Sequence, residues 1–507
     1  MPREDIDDAF DESTALQSVG HGAVVSIAGV SLQKAFLFLT NLLLTTGLGV
    51  GIYGVYAFGW RITRLLLRFA PFGTPSTLVR MLPEFRNEPT KQNRILGLAY
   101  VTTFTTTLTI SVLVFLQAEQ INDMTISHPS FPLALKLFAL LLPFDVFIRV
   151  LGFLFRALEI IEYHVLITRV LRPGLRLAAI AVAISLGYSL GGVVTWIVIA
   201  AAIVLIFAIW LSRTRTEIVP VPSVNTREAA SFYNYSLPNT FRTVGQLFRS
   251  RVDVILIGWL LTAEAAGIYN IALFLTSIIT IPLIAFNQLF PPIASKFYTE
   301  GEHEKLSSMY STVTRLIFTV TIVIAVTQFV YRKQILALFG PGYTEGALVL
   351  GVFVVGRVIG NSVGATGWLL LMTDHQYLRL VDSWLLAVLN IASSYYLILE
   401  YGLVGAALGT AGSLAVVNVL RVVQLWYLEG LQPITVTFGK PLVAGVGMAI
   451  LMTALKPVMS GPALLIVGTS TGLTIFLSLL YLFGIEKTDR VLMDTLYNQY
   501  RSVSLFR

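Results

Sequence analysis

The chain has 507 residues, of which 55% are apolar and 12% are charged, and its mean hydropathy is +0.77. Soluble globular proteins have about 25% charged residues, so this composition excludes an ordinary soluble enzyme. The net charge of +7 is typical of a membrane protein with basic cytoplasmic loops and does not indicate a nucleic-acid partner. The chain contains no cysteine, which excludes disulfides, thiolate metal ligands and a cysteine nucleophile.

The N-terminal segment is acidic. Six of its first 17 residues are Asp or Glu, whereas a secretory signal peptide has a basic start followed by an apolar core. We therefore expect residues 1–17 to form an unstructured cytoplasmic tail. At the other end, residues 485–507 mix apolar and charged side chains, a pattern compatible with a short helix on the membrane surface or with an unstructured tail.

Apolar blocks of about 20 to 25 residues, the length that crosses a bilayer as a helix, follow one another along the rest of the chain. This pattern predicts an all-α polytopic membrane protein with fourteen transmembrane helices. The predicted spans are residues 20–46, 53–79, 95–116, 132–155, 165–187, 190–211, 234–260, 265–295, 312–331, 346–372, 378–399, 402–428, 439–458 and 462–484.

The orientation of the spans follows from the positions of Lys and Arg in the loops. On one side of the membrane the predicted loops contain only Arg332, Lys333 and Lys456, and the remaining loop cations lie on the other side. Cytoplasmic loops are enriched in Lys and Arg, and an even number of spans returns the chain to its starting side. We therefore predict a plasma-membrane protein with both termini in the cytoplasm. The outer loops are too short to hold a folded domain.

Two parts of the chain resemble each other. Residues 51–53 (GIY) recur 216 positions later at 267–269, and residues 149–152 (RVLG) are matched by 357–360 (RVIG). Because six spans are an even number, the two repeats should have the same orientation, as in transporters with parallel repeats. The alternative is that membrane helices share such short patterns through composition alone.

The repeat predicts two pseudo-symmetric lobes of six helices around a central cavity, followed by two additional C-terminal helices. The expected organisation is a tail at 1–17, a first lobe at 18–211, a cytoplasmic linker at 212–233, a second lobe at 234–428, the last two spans at 439–484 and a tail at 485–507.

Basic residues inside the spans are candidates for the functional site, because each costs roughly 2.5–3.5 kcal/mol at the centre of a membrane helix. Arg61, Arg64 and Arg68 follow one another at steps of three and four, so they share one helix face over about 10 Å of depth. Their span has no acidic residue. The planar guanidinium group suits phosphate, so this stripe indicates an anion that passes through the membrane. Arg357 adds a charge in the second lobe.

Other charged residues inside the spans can neutralise one another. Asp145 and Arg149 lie four residues apart, as do Arg249 and Asp253, so each pair shares a helix face. The alternative to a functional stripe is that its arginines pair with Asp253 or Asp382 on neighbouring helices. We assign substrate binding to Arg61, Arg64, Arg68, Arg149, Arg249 and Arg357, and ion pairing or coupling to Asp145, Asp253 and Asp382.

Two prolines are candidate hinges. Pro75 and Pro291 lie near the cytoplasmic ends of the second and eighth spans, where a proline removes a helix hydrogen bond and bends the helix. Related bends in the two lobes would suit alternating access, although prolines in membrane helices are often static.

The remaining charged and metal-binding residue types show no pattern that indicates a site. Lys136 and Arg176 lie near span ends, from which long side chains reach the membrane surface. The five histidines are scattered and show no metal-ligand spacing, and no GxxxxGK[ST] phosphate loop is present. We therefore expect no metal, no cofactor and no ATPase activity of the chain's own.

Short motifs at the ends of the spans connect the chain to a known family. Residues 48–54 (LGVGIYG), 251–253 (RVD), 266–269 (AGIY) and 401–407 (YGLVGAA) resemble those of the oligosaccharide or polysaccharide (Wzx-type) flippases. These flippases belong to the multidrug/oligosaccharidyl-lipid/polysaccharide exporter superfamily. The resemblance covers nearly the whole chain and, together with fourteen spans arranged as six, six and two, it marks the fold better than the substrate.

The resemblance implies a transporter, not an enzyme. Such a protein moves an oligosaccharide on a polyprenyl or dolichyl phosphate or diphosphate from the cytoplasmic to the outer leaflet, for surface polysaccharide or glycoprotein assembly. An archaeal pathway is one form of this expectation. The implied partners are the lipid-linked oligosaccharide, membrane lipids, and the glycosyltransferases or oligosaccharyltransferase of the same pathway.

Two alternatives remain at this point. A cation-coupled exporter of drugs or small molecules has the same superfamily fold, but such exporters typically carry an acidic residue in the first span, where this chain has Lys34 and no acid. A membrane-embedded glycan-processing enzyme would normally present acidic residues or an extended outer loop.

Overall fold

The computed structural model describes residues 4–222 and 226–484, without the side chains of residues 4–28, 31, 242–255, 288, 289 and 292. Over this part of the chain the regular structure is helical and includes no strand. The all-α fold class predicted from the sequence is confirmed.

The described chain divides into two compact units between Phe248 and Arg249. The helices up to the division are α1 (Glu4–Phe69), α2 (Thr74–Glu84), α3 (Pro89–Leu116), α4 (Ala118–Asp123), α5 (Phe131–Ala157), α6 (Ile161–Val165), α7 (Arg172–Ser185), α8 (Leu190–Arg215) and α9 (Thr226–Leu260), which crosses it. A π-helical turn, Leu166–Leu171, joins α6 to α7.

The second unit continues with nine further helices. These are α10 (Ala263–Ile279), α11 (Ile281–Thr299), α12 (His303–Val330), α13 (Arg332–Ala337), α14 (Ala347–Ser362), α15 (Thr366–Met372), α16 (Gln376–Glu429), α17 (Gly439–Ala454) and α18 (Gly461–Leu482). Short 3₁₀ turns at Pro341–Gly346 and Val436–Phe438 precede α14 and α17.

Two glycines interrupt the two longest helices. Gly49 in α1 has φ 74° and ψ 170°, and Gly402 in α16 has φ 54° and ψ −129°. A positive φ is a conformation that glycine adopts without the steric penalty of a Cβ atom. Gly49 lies between the first two predicted spans and Gly402 is the first residue of the twelfth, so α1 contains the first span and most of the second, and α16 contains the eleventh and twelfth.

The predicted spans and the observed helices agree in position. Among the described residues nine helices are long and apolar enough to cross a membrane, or ten if a pair bent by 49° at Thr280 is one span. Two of the nine each cover two predicted spans. The fifth span is divided by the π-helical turn, and the seventh lies in α9, whose sequence includes many polar and charged residues. The total of fourteen crossings therefore stays a prediction.

The unit boundary lies inside the predicted seventh span and not in the predicted linker 212–233. The first part of α9 packs within the first unit. Glu228 forms an ion pair with Arg94 of α3 at 2.8 Å. The guanidinium of Arg80 of α2 lies 4.4 Å from the ring centre of Tyr235. The expectation of an unstructured segment at 1–17 also differs from the structure, in which α1 begins at Glu4.

Each unit is organised around its fourth predicted span. In the first unit α5 packs against α1, α2, α3 and α8, and in the second unit α14 packs against α10, α12 and α16. In both units the fourth span packs against helices of the second and third spans, which supports the internal repeat. The additional helices α17 and α18 pack on α12 in a cluster that includes Phe318, Tyr331 and Met448.

Candidate functional site

The three arginines of the stripe lie after the Gly49 break in α1. Arg61 is buried, with 9% of its surface exposed, whereas Arg64 and Arg68, one helical turn apart, are exposed. The guanidinium of Arg64 lies 5.4 Å from the ring centre of Trp60. The exposed part of the stripe is therefore its later part, Arg64 and Arg68.

Asp145 forms its ion pair with Arg172, not with Arg149 as the spacing within α5 predicts. Nε and one terminal nitrogen of Arg172 each donate a 2.8 Å hydrogen bond to a different oxygen of the Asp145 carboxylate. The carboxylate side chain is 5% exposed and the arginine 29%. Such a two-pronged pair fixes both side chains. Arg172 is positioned for it because α7 starts there, directly after the π-helical turn.

Arg149 donates to the backbone. One terminal nitrogen of its guanidinium lies 3.0 Å from the carbonyl oxygen of Leu67 in α1. The guanidinium carbon lies 5.8 Å from the ring centre of Phe153, one turn further along α5. Arg149 is also within electrostatic range of Arg172 and of Arg68. It therefore joins the stripe of α1 to the ion pair of α5 and α7.

Arg176 points into the first unit and not toward the membrane surface, which corrects the expectation from its place near a span end. Its guanidinium stacks 3.4 Å from the ring centre of Trp60 and donates to the hydroxyl of Tyr56. Lys136, in contrast, sits at the start of α5 and pairs with the exposed Glu119 at 2.8 Å, as expected of a residue near the surface.

Five basic residues form a group that we call the cationic cluster of the first unit: Lys34, Arg64, Arg68, Arg149 and Arg172. Lys34, in the first part of α1, belongs to it because it lies within electrostatic range of Arg64. The three spans that supply most of it, 53–79, 132–155 and 165–187, contain one acidic residue, Asp145. The cluster therefore has an excess of positive charge in an apolar setting.

The second unit places Asp382 with one cation and one amide. Its carboxylate is 1% exposed and accepts from Nε of Arg421 at 3.3 Å and from the side-chain amide of Gln424 at 2.9 Å. The structure thus brings Asp382 to partners on its own helix, α16. Arg357 is half-buried in α14. The side chains of Arg249 and Asp253 lie outside the described residues.

The two candidate hinge prolines do not lie at the observed breaks. Pro75 occupies the first turn of α2, where no helix hydrogen bond is lost. The chain breaks just before it, at Phe72 and Gly73, which have φ 48° and 74°. Helix α11 runs through Pro291 to Thr299, and the 49° bend lies eleven residues earlier, at Thr280.

The sequence contained signals for the residues that were missed. Arg172 and Arg176 are four apart, as Arg64 and Arg68 are, and their span has no acidic residue. Pro71-Phe72-Gly73 is a stronger break signal than Pro75, because it combines a missing N–H with a glycine. No group of three His, Asp or Glu side chains that could hold a metal is present within the described residues.

These geometric features define a multi-pass membrane protein with a cationic cluster among its helices. The model of the family described as polysaccharide biosynthesis protein matches residues 19–297, which is more than half of the chain. The chain therefore belongs to the polysaccharide biosynthesis protein family, and the resemblance predicted from the span-end motifs is confirmed.

Three individual proteins illustrate the similarity. A probable low-salt glycan biosynthesis flippase, Agl15 of Haloferax volcanii, is 26% identical over 226 residues, which are 44% of this chain and 46% of that protein. The match thus spans about half the length of this curated relative. Among solved structures, lipid II flippase MurJ in an inward closed conformation covers 91% of this chain and 98% of its own, with 11% identity and a TM-score of 0.69.

A multidrug resistance MATE family transporter of the MOP superfamily, in an inward-facing conformation, covers 80% of this chain and 98% of its own, with 15% identity and a TM-score of 0.64. At these identities the two structures show a shared fold. The polytopic helical fold of this superfamily, predicted from the sequence, is confirmed.

Proposed function

We propose that this protein is a flippase that moves a lipid-linked oligosaccharide from the cytoplasmic to the outer leaflet of the plasma membrane. The observation that carries the proposal is the cationic cluster, which places an excess of positive charge on apolar helices of a transporter fold. The family membership and the flippase activity named for the Haloferax relative and for MurJ support it.

In this proposal the cluster binds the phosphate or diphosphate that joins the glycan to its polyprenyl or dolichyl carrier. Arg64 and Arg68 are exposed and lie about 6 Å apart along the helix axis, a spacing that suits two successive phosphate groups. Arg172 is already matched to Asp145, so it holds the geometry. Arg61, which is buried, and Arg357 in the second unit act as supporting charges. Arg249 is proposed for the same role from its sequence position.

The membrane potential would supply the driving force. Moving one negative charge outward across a membrane that is negative inside releases about 2.3 kcal/mol per 100 mV. A diphosphate with two charges would release about 4.6 kcal/mol on the same scale. Export by alternating access would then need no ATP, and we propose both termini in the cytoplasm, with glycosyltransferases and an oligosaccharyltransferase of the same pathway as partners.

The proposed hinges lie at the observed helix breaks and not at the two prolines themselves. The breaks at Pro71–Gly73 and at Thr280, which precede Pro75 and Pro291 respectively, are the positions at which the second and eighth spans already change direction. We propose these breaks as hinges, with the two prolines in the helices that follow them.

The test is a deletion of the gene in its host, followed by measurement of the leaflet in which the lipid-linked oligosaccharide resides. Intact and opened cells are probed with a lectin or a glycosidase. For a flippase, complete precursor accumulates facing the cytoplasm and surface glycan disappears. Precursor that reaches the outer face without being transferred would contradict the proposal and indicate an enzyme of the later steps.

Complementation of the deletion with variants tests the cluster itself. Arg64→Ala and Arg68→Ala should fail to restore surface glycan while the protein still inserts. Arg86→Ala is the matched control, because Arg86 lies in the loop after the same span, which we predict to be cytoplasmic. Its side chain is 74% exposed and lies 3.7 Å from Glu159. Normal glycan in both cluster variants would refute the assignment. Resistance to cationic compounds on expression would favour a drug exporter.

A further inference from the structure

The second span breaks at Pro71, and the carbonyls of Leu67 and Ala70 lose their helical donors at this break. In an α-helix the carbonyl of residue 67 accepts from the N–H of residue 71, but residue 71 is Pro71, which has none. The carbonyl of Ala70 would accept from Thr74, whose N–H donates instead to the carbonyl of Pro71 at 2.9 Å. Leu67 and Ala70 are both buried, so each oxygen needs another donor.

Side chains of the next two spans supply these donors. Arg149 of α5 donates to the Leu67 oxygen at 3.0 Å, and the hydroxyl of Thr106 in α3 donates to the Ala70 oxygen at 2.6 Å. Both contacts cross from a neighbouring helix to the broken one. They form what we call the brace of the first break.

The second unit also has side-chain donors from two neighbouring helices at its own break, although Leu275 lies inside α10. The side-chain amide of Gln328 in α12 donates to the Leu275 oxygen at 2.9 Å, and that of Asn361 in α14 donates to the Ile279 oxygen at 2.8 Å. The bend of 49° follows at Thr280. In both units, therefore, the third and fourth spans hold the carbonyls of the broken second span, counted within each repeat.

The two braces differ in charge. In the second unit both donors are neutral amides, whereas in the first unit one donor is the guanidinium of Arg149. That guanidinium lies within electrostatic range of Arg68, and Arg68 directly follows Leu67 in the chain. A guanidinium bonds more strongly to an anion than to a neutral carbonyl. An anion at Arg68 would therefore compete with the Leu67 oxygen for Arg149.

We infer that Arg149 couples anion binding to the first break: a phosphate group held at Arg64 and Arg68 draws Arg149 away from Leu67 and releases the brace. This inference rests on the proposed phosphate site. Arg149 is a positioning residue in this role, because it acts on the helix direction through the Leu67 carbonyl. The hydroxyls of Thr106 and Thr107 both lie within hydrogen-bond distance of the Ala70 oxygen, so this carbonyl keeps a donor and the break loosens without unfolding.

The test uses the absence of cysteine from the chain. Ser76→Cys places a single thiol in the first turn of α2, where Ser76 is half-buried and its hydroxyl lies 2.9 Å from the Gly73 oxygen. The full-length protein in nanodiscs is labelled with a maleimide, with and without farnesyl diphosphate. Binding of radiolabelled farnesyl diphosphate is measured on the same samples. Inorganic pyrophosphate and uncharged farnesol serve as further probes.

Farnesyl diphosphate should accelerate labelling about tenfold, which corresponds to roughly 1.4 kcal/mol, near the contribution of a hydrogen bond to a charged group. In an Arg149→Gln background, which keeps a neutral donor as in the second unit, binding should persist in weakened form and the acceleration should disappear. Arg149→Met should label fast without ligand. Arg156→Gln is the matched control, because Arg156 lies 5.7 Å from the same Phe153 ring, and it should respond as the parent does.

The outcomes separate the inference from the proposed function. Acceleration by pyrophosphate alone would support a trigger by the diphosphate group itself, and a requirement for farnesyl diphosphate would support a trigger by the lipid-borne group. Binding with equal acceleration in Arg149→Gln, or acceleration by farnesol, would overturn the coupling role and leave the flippase proposal intact. Absence of saturable binding to the parent protein would overturn the phosphate site and the coupling role together.

Discussion

The ion pair between Asp145 and Arg172 allows a quantitative prediction. Asp145→Asn keeps the size and shape of the side chain but removes its charge, and its amide nitrogen faces a guanidinium donor. Two hydrogen bonds of 2.8 Å are affected, each worth about 1.5 kcal/mol at the low end for bonds to charged groups. The carboxylate is 5% exposed, so solvent compensates little, and we expect a loss of about 3 kcal/mol.

The assay is thermal unfolding of the purified protein in detergent, followed by tryptophan fluorescence. A loss of about 3 kcal/mol in a unit of roughly 250 residues lowers the Tm by about 6–12 °C. The double variant Asp145→Asn with Arg172→Met should recover part of this loss, because it no longer leaves an unmatched guanidinium inside the unit.

A matched control is Glu119→Gln, which removes the exposed partner of Lys136. Exposed pairs contribute about 0–1 kcal/mol, so its Tm should change by no more than about 4 °C. An Asp145→Asn protein that melts with the parent would refute the reasoning. So would a double variant less stable than Asp145→Asn alone.

Two further predictions concern the second unit. A Cβ atom on Gly405 would meet the carbonyl oxygen of Leu397 across the break in α16, whereas one on Gly412 meets nothing within 4 Å; Gly405→Ala should lower the Tm by several degrees, and Gly412→Ala, its control on the same helix, should not. The second prediction concerns Lys456, which lies beyond the end of α17. Its pKa is lowered from 10.5, first by burial and then by the neighbouring Arg332. Its charged form is thus disfavoured in the folded state, so stability should rise with pH between the lowered pKa and 10.5. Lys456→Gln should raise the Tm, and the gain should be smaller in about 1 M salt, because salt screens the repulsion from Arg332 but not the cost of burial.

The fold could be predicted from the sequence because membrane helices depend on one simple property. A block of about 20 apolar residues must satisfy its backbone internally, so it becomes a helix wherever it occurs. For this reason the predicted segments are largely helical, including those joined at Gly49 and Gly402, although breaks interrupt the second, fifth, eighth and tenth segments. Hydropathy does not report which helices pack together, so the division within α9 could not be read from the apolar pattern.

The candidate site was predictable in residue type but not in pairing. The stripe of Arg64 and Arg68 follows from spacing along one helix. The partner of Asp145 does not, because Arg172 lies on another helix, 27 residues further along the chain. Spacing along one helix can only suggest partners within it, and Arg149, four residues from Asp145, was such a suggestion.

The effect of each proline could likewise not be predicted from spacing along one helix. A proline bends a membrane helix only where its missing N–H leaves a carbonyl unsatisfied, and the result depends on which neighbouring side chain replaces the donor. Pro75 has no such effect in the first turn of α2. Pro71 does, because it leaves the Leu67 carbonyl without its helical donor, and Arg149 donates to that carbonyl instead. A charged replacement donor is a costly choice in a membrane interior, where a neutral amide serves the second unit. The cost is understandable if the charge has a second task, and an anionic substrate at the adjacent Arg68 would provide it.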